Sequence, residues 1–272
     1  MNKQKIAIIG QGTAGCITAA GISNNINAEI DWYFDPSQTP QSVGEGTTIG
    51  FPEFLRRELD WTYSNVEKLD GTYKQGIRKI DWNGSGDFLH HFPLGFQGLH
   101  FNASKFQTTI TEHFSKKTNF IPQIINNHQE IDASYIIDCS GSPKEYSEYN
   151  ESQCTPVNAA YVVDCYWDNP TFDYSLHVAR PYGWVFGIPL KNRCSIGYMY
   201  NSNINTLEEV QEDVKNVFSQ FNLTPSSNPK FYNFKNYTKK QNFTERVAYN
   251  GNASFFLEPM EATSIDTILN TN

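Results

Sequence analysis

The stretch with the clearest chemistry is KIAIIGQGTAG at 5–15. Ile6, Ala7, Ile8 and Ile9 make an apolar run the size of a buried strand. It ends in Gly10-x-Gly12-x-x-Gly15, ahead of helix-compatible Cys16, Ile17, Thr18, Ala19 and Ala20. Strand, tight glycine turn and helix in that order form a pyrophosphate cradle, because the backbone can approach and the helix start offers unpaired N–H donors. Gly10, Gly12, Thr13, Ala14 and Gly15 are the candidate contacts. Asp35 closes a second strand over 29–34, at about the spacing of an acid that binds a ribose 2′-hydroxyl. SVGEGTT at 42–48 sets Glu45 among small residues, Gly44 included, that allow close approach to a ligand. Taken alone, it also reads as a flexible loop.

Two further stretches hold reactive side chains. Lys74 lies in LDGTYKQGIRKIDW at 69–82, a mixed-face strand in which a lysine is ordinarily a surface residue. FLHHFPLGFQG at 88–98 packs histidines, phenylalanines and a proline into a loop-like run. No acidic cluster or third histidine accompanies it at ligand spacing, so no metal site is expected. His91 and Phe92 suit a ring-lined pocket wall equally as well as satisfied core positions.

The elements that must position these residues follow from periodicity. Residues 51–59 read as a helix, as do 104–117, where Phe106, Ile110 and Phe114 recur behind a Ser104 cap. ASYIIDCSG at 133–141 is a buried-type strand suited to closing the nucleotide sheet. From about Glu151 the pattern changes. Segments 159–167, 174–180, 183–189 and 193–200 alternate apolar and polar residues, which predicts an antiparallel sheet. Thr206 and Glu209 form a capping box for a helix over 206–222, and 246–257 gives a strand and a Gly-Asn-Ala turn. The chain therefore reads as α/β, with a nucleotide-binding part over 1–150, a sheet and helix over 151–245, and a returning segment over 246–272.

A formal net charge of −8 argues against nucleic acid as a partner. Five cysteines without CxxC spacing fit a reduced, cytoplasmic protein. The N-terminal apolar run is broken by glycines and Gln11, unlike a signal peptide, and no stretch is long enough to cross a bilayer, so no membrane partner is expected.

Four motifs in order resemble those of flavin-dependent halogenases of the tryptophan-halogenase type: GQGTAG at 10–15, SVGEGTT at 42–48, GWVFGIP at 183–189 and FLEPMEATSI at 256–265. Phe186 stands where the family's Gly-Trp-x-Trp-x-Ile-Pro has its second tryptophan. Met260, Ala262 and Ser264 are replacements in its Glu/Asp-Pro-Leu-Glu-Ser-Thr-Gly. The match spans nearly the whole chain but only the family's N-terminal part, which continues as a helical region in related halogenases.

The resemblance implies an FAD-binding, Rossmann-like fold of the two-dinucleotide-binding-domain type with an inserted antiparallel β-sheet on the substrate side. It implies reduced FAD from a separate flavin reductase, a halide ion, and hypohalous acid delivered to an indole or other electron-rich aromatic. Lys74 resembles the catalytic lysine, Glu261 its partner carboxylate, and the amides of Thr263 and Ser264 the halide site. Gly251 and Asn252 would face the flavin, while Trp184, Phe186, His91 and Phe92 would line the tunnel. A related FAD-dependent monooxygenase and a truncated, non-catalytic flavin-binding remnant stay open as alternatives, as does completion by a second polypeptide or a homo-oligomer.

Overall fold

The computed structural model describes residues 3–41, 43–84, 86–154 and 156–271, so Ser42 of the 42–48 motif lies outside the described residues. Elements are numbered in chain order. The apolar run becomes β1 (Gln4–Ile9), the centre of a five-stranded parallel sheet. On one side of it lie β8 (Tyr135–Asp138) and β17 (Val247–Tyr249), and on the other β2 (Ala28–Phe34) and β7 (Asn119–Pro122). A parallel sheet is covered on both faces, which is why Ile6–Ile9 are apolar without alternation. One face packs against α1 (Thr13–Asn25) and α4 (Ala103–Phe114), with α2 (Gly50–Leu59) and α6 (Ser264–Thr271) in the same core. The other face carries a smaller cluster around Tyr33, Ile131 and Ile136. α4 begins one residue earlier than expected. Its cap is Asn102, whose carboxamide oxygen accepts from the Lys105 amide at 3.1 Å, rather than Ser104.

The four alternating segments form β10 (Ala159–Tyr166), β11 (Ser175–Arg180), β12 (Gly183–Pro189) and β13 (Cys194–Tyr200), all antiparallel to their neighbours among the four. Beyond β10 lie β14 (Thr224–Pro225) and β15 (Lys230–Asn233). Beyond β11 the sheet continues with β4 (Gly76–Ile80), parallel to it, and β5 (Asp87–His91). This eight-stranded sheet thus recruits two strands from the 1–150 part, so a boundary at 150 does not divide the sheets. It also corrects the loop-like reading of 88–98, which is strand as far as His91. A ribbon of β3 (Thr72–Lys74) and β6 (Gly98–His100), the short helix α3 (Tyr63–Val66), and a small sheet of β9 (Tyr149–Glu151), β16 (Tyr237–Lys239) and β18 (Phe255–Phe256) complete the layers.

Period-two geometry gives the large sheet two faces. Leu176, Val178, Val185, Ile196 and Tyr198 pack with Val210, Val214 and Val217 of α5 (Leu207–Gln220), which carries the expected Thr206–Glu209 capping box. Asp213 of α5 is clamped to this face by Arg180 and by the Tyr198 hydroxyl, which donates at 2.8 Å. The opposite face presents Lys79, His177, Trp184 and Phe186. Among the described residues no helix is long and apolar enough to cross a membrane.

The β1–α1 turn is pinned from β2. Trp32 is fully buried and its indole N–H donates to the Gly10 carbonyl at 2.7 Å. Trp32→Phe keeps a ring and leaves that carbonyl without this donor. We expect a loss of about 1–3 kcal/mol in urea unfolding.

Candidate active site

Each glycine of the first motif has a separate steric duty. A Cβ at Gly15 would lie 2.0 Å from the Gly10 carbonyl oxygen, so this glycine allows α1 to pack on β1. Gly10 sits at φ 102°, where a Cβ would meet the Cys139 carbonyl oxygen at 2.3 Å. A Cβ at Gly12 meets nothing within 4 Å. Gly12 caps α1 without a side-chain bond to its first turn, so open space lies over helix-start N–H groups. That is the cradle a pyrophosphate requires.

Two other segments are tied to this turn. Gln107 donates both to the Thr13 hydroxyl at 3.1 Å and to the Gln41 carbonyl at 3.0 Å, linking α1 to the start of the glycine loop. Gly251, at φ 59°, approaches Ala14 so closely that a Cβ would lie 2.5 Å from the alanine methyl. The turn after it is held by the hydroxyls of Tyr237, donating to the Asn252 carbonyl at 2.7 Å, and Tyr149, donating to the Ala253 carbonyl at 2.8 Å. A Cβ at Gly44 also meets nothing within 4 Å. The Asp35 carboxylate ends β2 as expected, but accepts from the Ser37 hydroxyl at 2.6 Å and amide at 2.8 Å, which hold it below the usual carboxylate range.

Glu45, expected among the cofactor contacts, has its side chain committed elsewhere. Its carboxylate turns inward to Arg193 at 2.5 Å and to the Ala103 amide at 3.3 Å, while Arg193 also binds Asp164 at 2.6 Å. Burial pushes the Glu45 carboxyl up, and the guanidinium opposes that shift. Glu45 therefore joins the glycine loop to the large sheet.

Lys74 overturns the surface-lysine expectation: its side chain is fully buried and its Nζ has no partner among the described residues. Burial lowers its pKa to about 8, with the charge of Glu261 pulling the other way. The Nζ lies 5.6 Å from the centre of the Phe92 ring. Lys74 is opposite Gly98 in the β3–β6 ribbon, and His100 follows two residues on. The Thr72 hydroxyl donates to the Pro189 carbonyl at 2.6 Å and contacts His100 Nδ1 at 3.0 Å. Its one proton is thus committed, so Nδ1 carries the imidazole proton and Nε2 accepts from the Ser175 hydroxyl at 2.9 Å. Burial and the Lys74 charge keep His100 well below the ordinary histidine range.

The expected Lys74–Glu261 pair is through-space only. Glu261 binds Lys79 at 2.5 Å, and its side chain is about half-exposed. Lys79 lies 5.9 Å from the Trp82 ring, and Trp82 donates to the His177 carbonyl at 3.1 Å. His177 is buried, its ring centre 5.0 Å from that of Trp184. Burial, then the charges of Lys74 and Lys79, push His177 down to about 3. Phe186 stands 6.2 Å from Trp184 and lies over Gly197, where a Cβ would be 2.1 Å from its ring. Glu258 is pushed up by burial and by Glu261, and its carboxyl faces the Trp184 indole. His91 is exposed against Tyr174, with ring centres 6.0 Å apart. Lys79, His100 and His177 escaped the sequence reading, and Glu258 entered it only as part of the 256–265 motif. The strand period could have placed Lys79 and His177 on the Trp184 face, had the β4–β11 pairing been visible.

The segment after Glu261 turns at Ala262, which takes the left-handed conformation at φ 53° and donates its amide to the Pro259 carbonyl at 3.1 Å. α6 starts at Ser264, and the Thr263 and Ser264 amides donate to no group among the described residues. Thr48 joins this helix to the glycine loop by donating to Asp266 at 2.8 Å. A Cβ at Gly46 would lie 3.5 Å from Ile188 and 3.8 Å from both Ala262 and His100, so the loop, the helix start and the His100 network converge. Among the described residues no group of three or more His, Cys, Asp or Glu could hold a metal ion.

The profile of the tryptophan halogenase family matches residues 5–120 and 99–271. The tryptophan 6-halogenase SttH of Streptomyces toxytricini is 32% identical over 104 residues, a stretch covering 36% of this chain and 18% of that protein. The fold is that of BrvH, a flavin-dependent halogenase from Brevundimonas sp. BAL3, with a TM-score of 0.85 at 21% identity over 99% of this chain and 70% of that one. A tryptophan halogenase from Shewanella frigidimarina superposes with a TM-score of 0.83 at 20% identity, over 99% and 70% of the two chains.

The burial of Lys74 makes a stability test. Its pKa is lower folded than unfolded, so the unfolded chain binds more protons between about pH 8 and 10.5. Wild-type stability therefore gains with pH across that window, whereas below it the full desolvation penalty applies. Lys74→Met should stabilise the chain by on the order of 3 kcal/mol at pH 7. Urea unfolding of both proteins at pH 7 and pH 10 should show that advantage shrinking.

Proposed function

We propose that this chain, which belongs to the tryptophan halogenase family, binds FAD and halogenates an indole or another electron-rich aromatic. The observation that carries the reading is Lys74, a fully buried amine without a partner among the described residues, set behind Phe92 and within reach of the Glu261 charge. The FAD part of the reading rests on the open space over Gly12 and Gly44 and on the segments tied to that turn. Gly10–Gly15 would hold the pyrophosphate, Asp35 the ribose, and Gly251 and Asn252 the flavin side. Residues 1–150 and 246–272 supply the FAD side, and 151–245, extended by β4 and β5, supplies the substrate side. A separate flavin reductase provides reduced FAD. The cysteines, all unbridged, support a reducing cytoplasmic setting.

Bound and reduced, FAD supplies the electrons with which dioxygen oxidises halide to hypohalous acid. The free amides of Thr263 and Ser264 hold the halide at the start of α6. Lys74 hydrogen-bonds the hypohalous acid and, as ammonium, protonates its oxygen as halogen passes to the ring carbon, so that oxygen leaves as water. A pKa of about 8 suits this role, because the ammonium dominates at neutral pH yet gives up its proton readily. Glu261 then accepts the ring proton, and its bond to Lys79 holds the carboxylate in place. Trp184 and Phe186 wall the aromatic away from the flavin side.

The test is to combine the chain with excess FAD, a generic flavin reductase and bromide, then screen indoles and phenols by mass spectrometry. Lys74→Ala should lower brominated product about 100-fold or more while FAD absorbance titrations stay unchanged. If FAD binding falls with it, Lys74 is structural. Hydroxylated product indifferent to halide would overturn halogenation. Gly12→Val, which points a side chain into open space, should weaken FAD binding about tenfold without lowering Tm.

A further inference from the structure

Buried polar atoms without partners are uncommon in folded proteins, because each forgoes the hydrogen bond it would make with water. Two of those among the described residues, Lys74 Nζ and His177 Nδ1, belong to the same side of the large sheet. Trp184 touches His177, and the His100 ring bridges Thr72 and Ser175, which stand two residues before Lys74 and His177 on β3 and β11. The mechanism above uses Lys74 and leaves His177 without a task.

His100 shows what a structural histidine looks like in this protein: both of its ring nitrogens are bonded, to Thr72 and Ser175. His177 is equally enclosed, yet its Nδ1 is unpartnered.

We propose that His177 is a further catalytic residue, which holds the hypohalous acid together with Lys74. This rests on the halogenase reading. Hypohalous acid is small, uncharged, and carries one O–H donor and oxygen lone pairs. Lys74 donates to its oxygen, and its O–H donates to His177 Nδ1, so one molecule satisfies both orphaned nitrogens. The imidazole stays neutral between two lysines, so it accepts this hydrogen bond without competing with Lys74 as the acid. Halogen transfer then proceeds as above, the oxygen leaving as water.

His177→Leu removes the acceptor, and His177→Gln keeps one. With reductase, FAD, bromide and an indole, two quantities are measured: brominated indole, and bromine escaping to a soluble trap. In His177→Leu the ratio of product to trapped bromine should fall about tenfold, the weight of one hydrogen bond, at unchanged total bromine output and FAD binding. His177→Gln should restore most of that ratio. An unchanged ratio in His177→Leu overturns the proposal, as does equal loss of total output in both variants. A wild-type chain giving neither product nor trapped bromine fails the halogenase reading itself. A flavin-free measurement supplies one equivalent of hypobromous acid directly, followed by peptide mapping. Bromine should collect on the Lys74 peptide in wild type and fall to the level of other lysine peptides in His177→Leu, and equal labelling overturns the proposal.

Discussion

An amine kept from water without a counter-ion is the constraint on which the site depends. Lys74 is unexposed, and the carboxylate nearest in charge, Glu261, spends its hydrogen bond on Lys79. Had Glu261 bonded Lys74 directly, the ion pair would have held the lysine near or above its ordinary pKa and reduced its readiness to release a proton. Burial alone would hold its pKa lower still. The arrangement sits between these limits, with Glu261 felt but not touching.

Maintaining an unpaired charge requires stiff surroundings. The ribbon that carries Lys74 is locked on one side by the Thr72–His100–Ser175 relay, which reaches the large sheet at Pro189 and β11. On the other side the glycine loop is held by Glu45 through Arg193, again to the large sheet. Both ties have buried members, so breaking either would leave a polar group without water. The nucleotide turn is braced independently, by Trp32 from β2 and by Gln107 from α4. Two regions with separate supports thus meet at Gly46, Ala262 and the start of α6.

The parallel pairing of β4 with β11 links these regions. It places Lys79 opposite His177, which in turn stands opposite Phe186, in one row across three strands. A one-residue slip of β4 would turn Lys79 to the α5 face. Ile80 and Val178, neighbours in the opposite face's core, oppose that slip by their own burial.

Local sequence determined the elements and their chemistry. The glycine spacing encoded the β1–α1 turn because Gly10 and Gly15 answer contacts at the end of the adjoining strand and within the turn, while Gly12 leaves space open over the helix start. The Thr206–Glu209 box encoded the start of α5 for the same local reason. The quoted motifs carried the family, and so pointed to Lys74 and to the segment from Glu258 to Ser264. Tertiary structure alone decided the partners. That Glu45 binds Arg193, that Glu261 binds Lys79, and that His177 lies beside Trp184 depend on which strands become neighbours across long stretches of chain. Pairing of that kind leaves no periodic trace in either strand. The same holds for the burial of Lys74: desolvation is imposed by residues that fold over it, and a mixed-face strand contains no mark of what will cover it.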